Sequence, residues 1–300
     1  MHTVSQSPTE PEFVQNPYPF YQKMREQGGI HYWKDYEKVA VFDYETVSWI
    51  LKSRMFGREG KSAKLRKIPK RLKPFYDVEA HSMLELEPPR HTRLRGIVLR
   101  AFTSRRIDEL APEIKTLCHQ LIDKFEGSSV DLLPSYATKI PVIIIARLLG
   151  VPESMADQLL KWSNDMVMMY QARRTLVLEN RAIQSTVEFV EFMRGYISKR
   201  RCQKSDDLIS HLITTEENGV RLTTDEMIST CILLLNAGHE ATVHTLGNGI
   251  KCLIENDCDP SIFDSQAMTS KIVEEILRYD PPLHIFTRFA YESCQIGPFN

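Results

Sequence analysis

The sequence has six cysteines but no Cys-x-x-Cys pair. Cys118, Cys202, Cys231, Cys252, Cys258 and Cys294 are scattered, and they read as reduced thiols of a cytoplasmic protein. No run of about 18 apolar residues exists, so no membrane-spanning helix is expected. The opening stretch MHTVSQSPTEPEF lacks the apolar segment of a secretory signal. Charge of either sign is not in excess: 38 Lys and Arg face 39 Asp and Glu, a net −1. That balance implies no global pull toward nucleic acid or an acidic membrane. Internal repeats and low-complexity segments are also missing. What remains is a globular composition, 42% hydrophobic and 26% charged over 300 residues, long enough for one large core or two ordinary ones.

Apolar residues at three- and four-residue spacing dominate the chain and predict a mainly α fold. NPYPFYQKMREQGG reads as a short helix entered through prolines and closed by Gly28 and Gly29. IHYWKDYEKVAVFDY reads as two short strands around a turn at residues 34–38. YETVSWILKS, HTRLRGIVLRAF, RIDELAPEIKTLCHQLIDKFE, YATKIPVIIIARLLG, ESMADQLLKWSNDMVMMY and AIQSTVEFVEFMRGYISKRR follow as helices. Gly127, Gly150 and Gly219 mark stops, and TTDEM resembles an N-terminal cap. The helix it opens, about 224–256, spans roughly 50 Å and is expected to run buried through the centre of the domain. SKIVEEILRYDPPL is a further helix, and HIFTRFAYESCQIGPFN turns strand-like. Residues 1–15 read as a flexible tail on a single domain of residues 1–300.

Four stretches carry candidate chemistry. LLLNAGHEATVHT, residues 233–245, places Gly238, Glu240 and two histidines inside an apolar helix. Its HEATVH resembles a zinc-protease helix, but the second histidine is at i+5. Successive helical residues turn by about 100°, so i+4 lies about 40° from the first residue and i+5 about 140°. His239 and His244 therefore do not face one metal, and both take packing roles. Ala237, Gly238 and Ala241 form a shallow trough for another helix or a flat ligand; the plainer reading of Gly238 is close helix packing. His91 and Arg95, at i and i+4 in HTRLRGIVLRAFT, share a face suited to a carboxylate or phosphate, or are a solvated basic face. Glu275 and Arg278 in EEILRYDPP are at ion-pair spacing. The basic run at residues 52–73 reads as a solvated loop or a docking face for an acidic protein. A nucleic-acid arm fits less well, because Phe56 is the only aromatic of the run before Phe75.

Taken in order, HTRLRGIVLRAFT, LLLNAGHEAT, EEILRYDPP and FTRFAYESCQIGPFN resemble helix C, the oxygen-binding helix I, helix K and the following strand of the bacterial cytochrome P-450 family, the heme-thiolate monooxygenases. The resemblance runs from about Asn16 to Asn300. It implies the cytochrome P-450 fold, mainly α with a long central helix I and small β regions. It implies heme held at a propionate by His91, Arg95 and Arg288, with Ala237 and Gly238 leaving room above the porphyrin for dioxygen. Glu240 would be the acid of proton delivery. Glu275 and Arg278 would be a buried structural ion pair. The implied partners are a ferredoxin-type redox protein, docking near Arg90, Arg93 and Arg100, and a small apolar substrate; no nucleic acid and no membrane are implied.

Two departures from the family pattern stand out. Ala241 replaces the alcohol that follows the acid, with Thr242 one residue, about 100°, further round the helix. A substrate hydroxyl or a water would then serve in proton delivery. The family's ligand loop, Phe-x-x-Gly-x-x-x-Cys-x-Gly, does not occur among the 300 residues, and no cysteine here is assigned to iron. The expectation is a fold incomplete at its C-terminal side and a chain without monooxygenation of its own, whose alternative role is that of a non-catalytic helical protein binding an apolar ligand or partner. Substrate choice is expected near residues 56–86 and 166–174, where Met166, Met168 and Met169 line a pocket or fill the core.

Overall fold

The computed structural model describes residues 1–60, 68–102, 104–171, 174–217 and 219–299, without the side chains of 104–106 and 216–217. In chain order come β1 (His2–Val4), α1 (Pro11–Gln15), α2 (Tyr18–Glu26), β2 (Ile30–Trp33), β3 (Lys38–Val41), α3 (Tyr44–Lys52) and β4 (Phe56–Gly57). Then follow α4 (Lys73–Glu79), α5 (Arg90–Ala101), α6 (Ser104–Ile122), α7 (Lys139–Leu149), α8 (Ala156–Val167), α9 (Leu176–Cys202) and α10 (Leu208–Thr214). A hairpin of β5 (Glu216–Glu217) and β6 (Val220–Arg221) leads into α11 (Thr224–Glu255), α12 (Gln266–Tyr279) and β7 (Phe289–Ala290). The mainly α expectation holds.

The chain divides into two compact units, one of Met1–Arg66 with Thr287–Asn300 and one of Lys67–Phe286. The first is built on a three-stranded sheet in the order β1-β2-β3. β1 runs parallel to β2, pairing His2 with His31 and Val4 with Trp33, while β2 and β3 are antiparallel. Residues 1–15 are therefore not a loose tail. The extended segment His2–Val4 completes the sheet edge, Trp33 Nε1 donates to Gln6 O at 2.9 Å, and Phe13 of α1 packs its ring on Phe20 and Trp33. Of the strand-like tail, Phe289–Ala290 pairs with β4, and Ile296 and Phe299 form an isolated bridge.

The second unit holds the main aliphatic core. Phe75, Leu94, Ile97, Leu149, Leu159, Met166, Phe189, Met193, Ile197, Leu208 and Leu235 are all buried in it. The α8 and α9 helices lie together, with Trp162 stacked on Phe189 at 5.1 Å between ring centroids. Met166 and Met169 are core residues, which settles them as packing. The short helices α4 and α10 have no counterpart in the sequence reading. Seven residues each is too short for a periodic pattern, though Asp207, whose carboxylate accepts from Ser210 N, was a visible cap.

α11 starts at a full capping box: Thr223 Oγ1 accepts from Glu226 N, and Glu226 Oε2 accepts from Thr223 N at 2.9 Å. Its 32 residues match the expected span, but its burial is uneven. Residues 226–232 are all buried, whereas beyond Asn236 only His239, Val243 and Gly249 are. The expectation of a helix buried throughout holds for the N-terminal half alone.

Candidate functional site

The open half of α11 is organised in stripes. Asn236, His239 and Val243, at i, i+3 and i+7, face inward and are buried. Ala237, Glu240, Ala241 and His244, at i, i+3, i+4 and i+7, share a second stripe about 120° round the helix and are exposed or half-buried. The expected small-residue trough therefore exists, but Ala237 and Ala241 make it. Gly238 turns elsewhere: a Cβ there would lie 3.0 Å from Ile145 Cδ1 of α7. Gly238 thus faces α7 and not the trough. Thr242 is exposed, and its hydroxyl donates to Gly238 O at 2.7 Å. Such i−4 back-bonding occupies the Thr242 hydroxyl, and the Thr245 hydroxyl likewise donates to Ala241 O at 2.7 Å.

Glu240 makes no hydrogen bond or ion pair with the described residues. Burial raises its carboxyl pKa, and the His244 imidazole opposes that rise only in part. An acid held toward its protonated form beside a small-residue face is suited to giving up a proton there. His244 was expected to pack, yet it is exposed and stands one helical turn from Glu240. Its i+4 spacing from the acid was the signal available in the sequence. His239 did take the packing role. Both its ring nitrogens are buried and make no well-aligned hydrogen bond with a described residue; burial lowers its pKa, with the nearby Thr138 backbone opposing and His244 reinforcing the shift.

His91 and Arg95 share one face of α5, the first half-buried and the second exposed, and neither side chain pairs with a described residue. Arg93, two residues from each, points to the other side of α5 and forms an ion pair with Glu226. Arg90 Nη2 donates to Ala80 O at 2.6 Å. Of the three arginines expected to receive a redox protein, Arg93 is neutralised by Glu226 in the first turn of α11. Arg288 belongs to the first unit, is half-buried, and sends Nη1 to Thr287 O at 2.9 Å.

Glu275 and Arg278 form a bidentate pair, both bonds 2.7 Å. It is not buried: the side chains are 60% and 69% exposed. α12 buries none of its residues, and i,i+3 spacing keeps both groups on its open face. Lys61, Lys64, Arg66 and Lys67 of the basic run lie outside the described residues, while Arg71 pairs with Glu179 at 2.5 Å and Lys73 with Asp77 at 2.5 Å.

The residues fit heme in part. The His91–Arg95 face of α5 and the small-residue stripe with its acid on α11 suit the propionate and dioxygen sides. No cysteine suits the iron. Cys231 is fully buried, and its thiol is pushed up to about 12 by burial and by Asp207. Cys118 lies against Tyr136, Cys202 and Cys258 are exposed, Cys252 ends α11, and Cys294 belongs to the first unit.

A helical protein whose longest helix presents this stripe is of the heme-binding monooxygenase class that the four motifs resemble. The family model "Cytochrome P450" matches residues 12–258, and the chain belongs to that family. It is 33% identical over 294 residues to the polyketide biosynthesis cytochrome P450 PksS of Bacillus subtilis, covering 94% of this chain and 71% of PksS. It is 32% identical over 301 residues to the cytochrome P450 monooxygenase PikC of Streptomyces venezuelae, covering 95% and 68%. The crystal structure of P450BioI in complex with an acyl carrier protein ligated to hexadec-9Z-enoic acid superposes with a TM-score of 0.87. That match has 29% identity and covers 95% of this chain and 74% of P450BioI. Proteins of this family bind heme and use redox partners. Among the described residues, no helix is long and apolar enough to cross a membrane.

Proposed function

We propose that this chain carries the propionate-binding and proton-delivering side of a heme-thiolate monooxygenase for an apolar small molecule, and that its 300 residues alone do not complete the reaction. One observation carries the reading: the half-buried, unpaired Glu240 stands beside the Ala237–Ala241 stripe, while the unpaired His91 and Arg95 share a face of α5. Bound heme supplies reductive activation of dioxygen and insertion of one oxygen atom into the substrate, with two electrons from a redox partner.

The chain's own residues would act as follows. His91 and Arg95 hold a propionate by charge-assisted hydrogen bonds. Ala237 and Ala241 keep α11 flat, and Gly238 lets α7 approach it. Glu240 holds a proton on its carboxyl and passes it into the stripe. Because Ala241 has no hydroxyl and that of Thr242 is bound to Gly238 O, the next donor is a substrate hydroxyl or a water. Arg90 and Arg100, both exposed, stand on α5 where a ferredoxin-type protein would dock. PksS is a polyketide-biosynthesis protein and P450BioI was solved with a fatty-acyl carrier protein, so acyl or polyketide chains are the substrates to test first.

The test is a heme titration of the purified chain followed by the spectrum of its reduced, CO-bound form. His91→Ala and Arg95→Ala should each weaken heme binding about tenfold, the loss of one charge-assisted hydrogen bond. Equal binding by both variants and the wild type would overturn the propionate assignment. A thiolate-type Soret band would overturn the claim that no cysteine here ligates iron; its absence supports the second reading, a chain that binds an apolar ligand without oxygen insertion, which the positions of the six cysteines favour.

A further inference from the structure

The C-terminal end of α11 brings two cysteines together. Asn256 caps the helix, Asp257 follows in the left-handed region at φ 48°, and Cys258 comes next. Cys258 N donates to Leu253 O at 3.0 Å and Asp257 N to Ile254 O at 3.1 Å. This pair of bonds is the Schellman motif. That motif folds the second residue past the cap back over the last helical turn, against the third or fourth residue before the cap. Here the returning residue is Cys258, and the fourth before the cap is Cys252. Both thiols are free, Cys252 half-buried and Cys258 exposed.

The pair sits at a joint. Four residues before Cys252, Asn248 Nδ2 donates to Asp280 O at 3.1 Å just past the end of α12, and a Cβ at Gly249 would touch Ile276. The two thiols also differ. Burial, then Cys258, Glu255 and Asp280, raise the Cys252 pKa, with Asn256 alone opposing. The exposed Cys258 therefore meets a soluble oxidant first, and Cys252 is the resolving thiol beside it.

We propose that Cys252 and Cys258 form a reversible disulfide that staples the end of α11 in response to a peroxide. The Cys258 thiolate attacks one peroxide oxygen, the O–O bond breaks, and one water leaves, giving a sulfenic acid. The Cys252 thiolate then attacks Cys258 Sγ, the S–O bond breaks, and a second water leaves. Two thiols lose two electrons and two protons, and hydrogen peroxide is reduced to two waters. The device needs no heme and stands apart from the function proposed above.

The experiment treats the reduced 300-residue chain with hydrogen peroxide, alkylates remaining thiols, and maps tryptic peptides. Cleavage after Lys251 and Lys271 leaves both cysteines on one peptide. That peptide should lose two hydrogens, escape alkylation, and regain two alkylation sites after treatment with dithiothreitol. In Cys258→Ser, Cys252 should remain alkylatable. In Cys252→Ser, Cys258 should instead pass on to sulfinic acid. The proposal fails if wild-type Cys258 is over-oxidised while Cys252 stays free, or if Cys258 pairs with another cysteine or a second chain.

Discussion

The two halves of α11 carry one decisive glutamate each, in opposite circumstances. Glu226, in the first turn, is buried, capped by Thr223 and paired with Arg93. Burial alone would raise its pKa, but the Arg93 guanidinium and the Thr223 amide outweigh it and hold the carboxyl low. Glu240, four turns on, is half-buried with no partner among the described residues, and burial holds it high. One residue type on one helix thus has its carboxyl pKa lowered in the first turn and raised four turns on. Partnership decides which, because burial pushes both the same way.

The hardest way to break that contrast is to remove Arg93. Arg93→Ala strands a carboxylate whose side chain is 9% exposed, while Arg93 itself is 34% exposed. Breaking a fully buried pair costs about 3–5 kcal/mol; discounting for the wetter partner leaves about 2–3 kcal/mol. Urea unfolding of the variant measures it. A loss below about 0.5 kcal/mol, the size of a surface pair, would remove Glu226 as an anchor.

The pH dependence of the two sites should have opposite signs. A lowered folded pKa gives Glu226 a stabilising contribution that is present above the unfolded carboxylate value and lost as pH falls through the folded one. A raised folded pKa gives Glu240 a contribution present below the unfolded value and lost as pH rises through the folded one. Glu226→Gln should therefore be less stable than wild type at neutral pH and converge with it in acid. Glu240→Gln should be the more stable chain at neutral pH and lose that advantage in acid. Parallel urea titrations at several pH values test this, and curves of the same sign for both variants would defeat the contrast.

Smaller effects separate the glycines of the open half. A Cβ at Gly249 would press on two Ile276 atoms at 3.0 Å, so Gly249→Ala should destabilise by about 1 kcal/mol, overpacking exceeding the helix-propensity gain. A Cβ at Gly238 meets only the mobile tip of Ile145 at 3.0 Å. Gly238→Ala should leave stability unchanged or raise it by up to about 1 kcal/mol. If Gly238→Ala nevertheless abolishes heme uptake, the gap above the porphyrin, and not helix packing, is what that glycine serves.

Most of the architecture was legible because long helices repeat their apolar residues and announce their ends. The α11 span, its capping box and the glycine stops at Gly127, Gly150 and Gly219 are local patterns, and all three glycines adopt positive φ. What the sequence hid were properties of the neighbours. That Gly238 faces Ile145, that Arg93 reaches Glu226 across 133 positions, and that His2–Val4 closes a sheet edge depend on remote segments. Of the site, the acid and the small residues were legible from spacing; which stripe of α11 stays open was not, since Ala237 and Gly238 are neighbours in sequence and diverge by about 100° in space.

The faintest effect is the most discriminating for α12. Glu275 and Arg278 form a better-aligned pair than Arg93 and Glu226, with two bonds of 2.7 Å, yet both side chains stand in solvent. The pair holds the Glu275 carboxyl low and the Arg278 guanidinium high. Water and salt screen such a pair, and geometry alone does not make it stabilising. Glu275→Gln should leave the urea midpoint of this chain where it was, at low and high salt alike. A measurable drop would mean that α12 is covered in solution, restoring the buried structural pair that the family resemblance implies. An unchanged midpoint beside the large loss in Arg93→Ala would show that the partners' burial, and not their hydrogen-bond geometry, sets the value of an Arg–Glu pair in this fold.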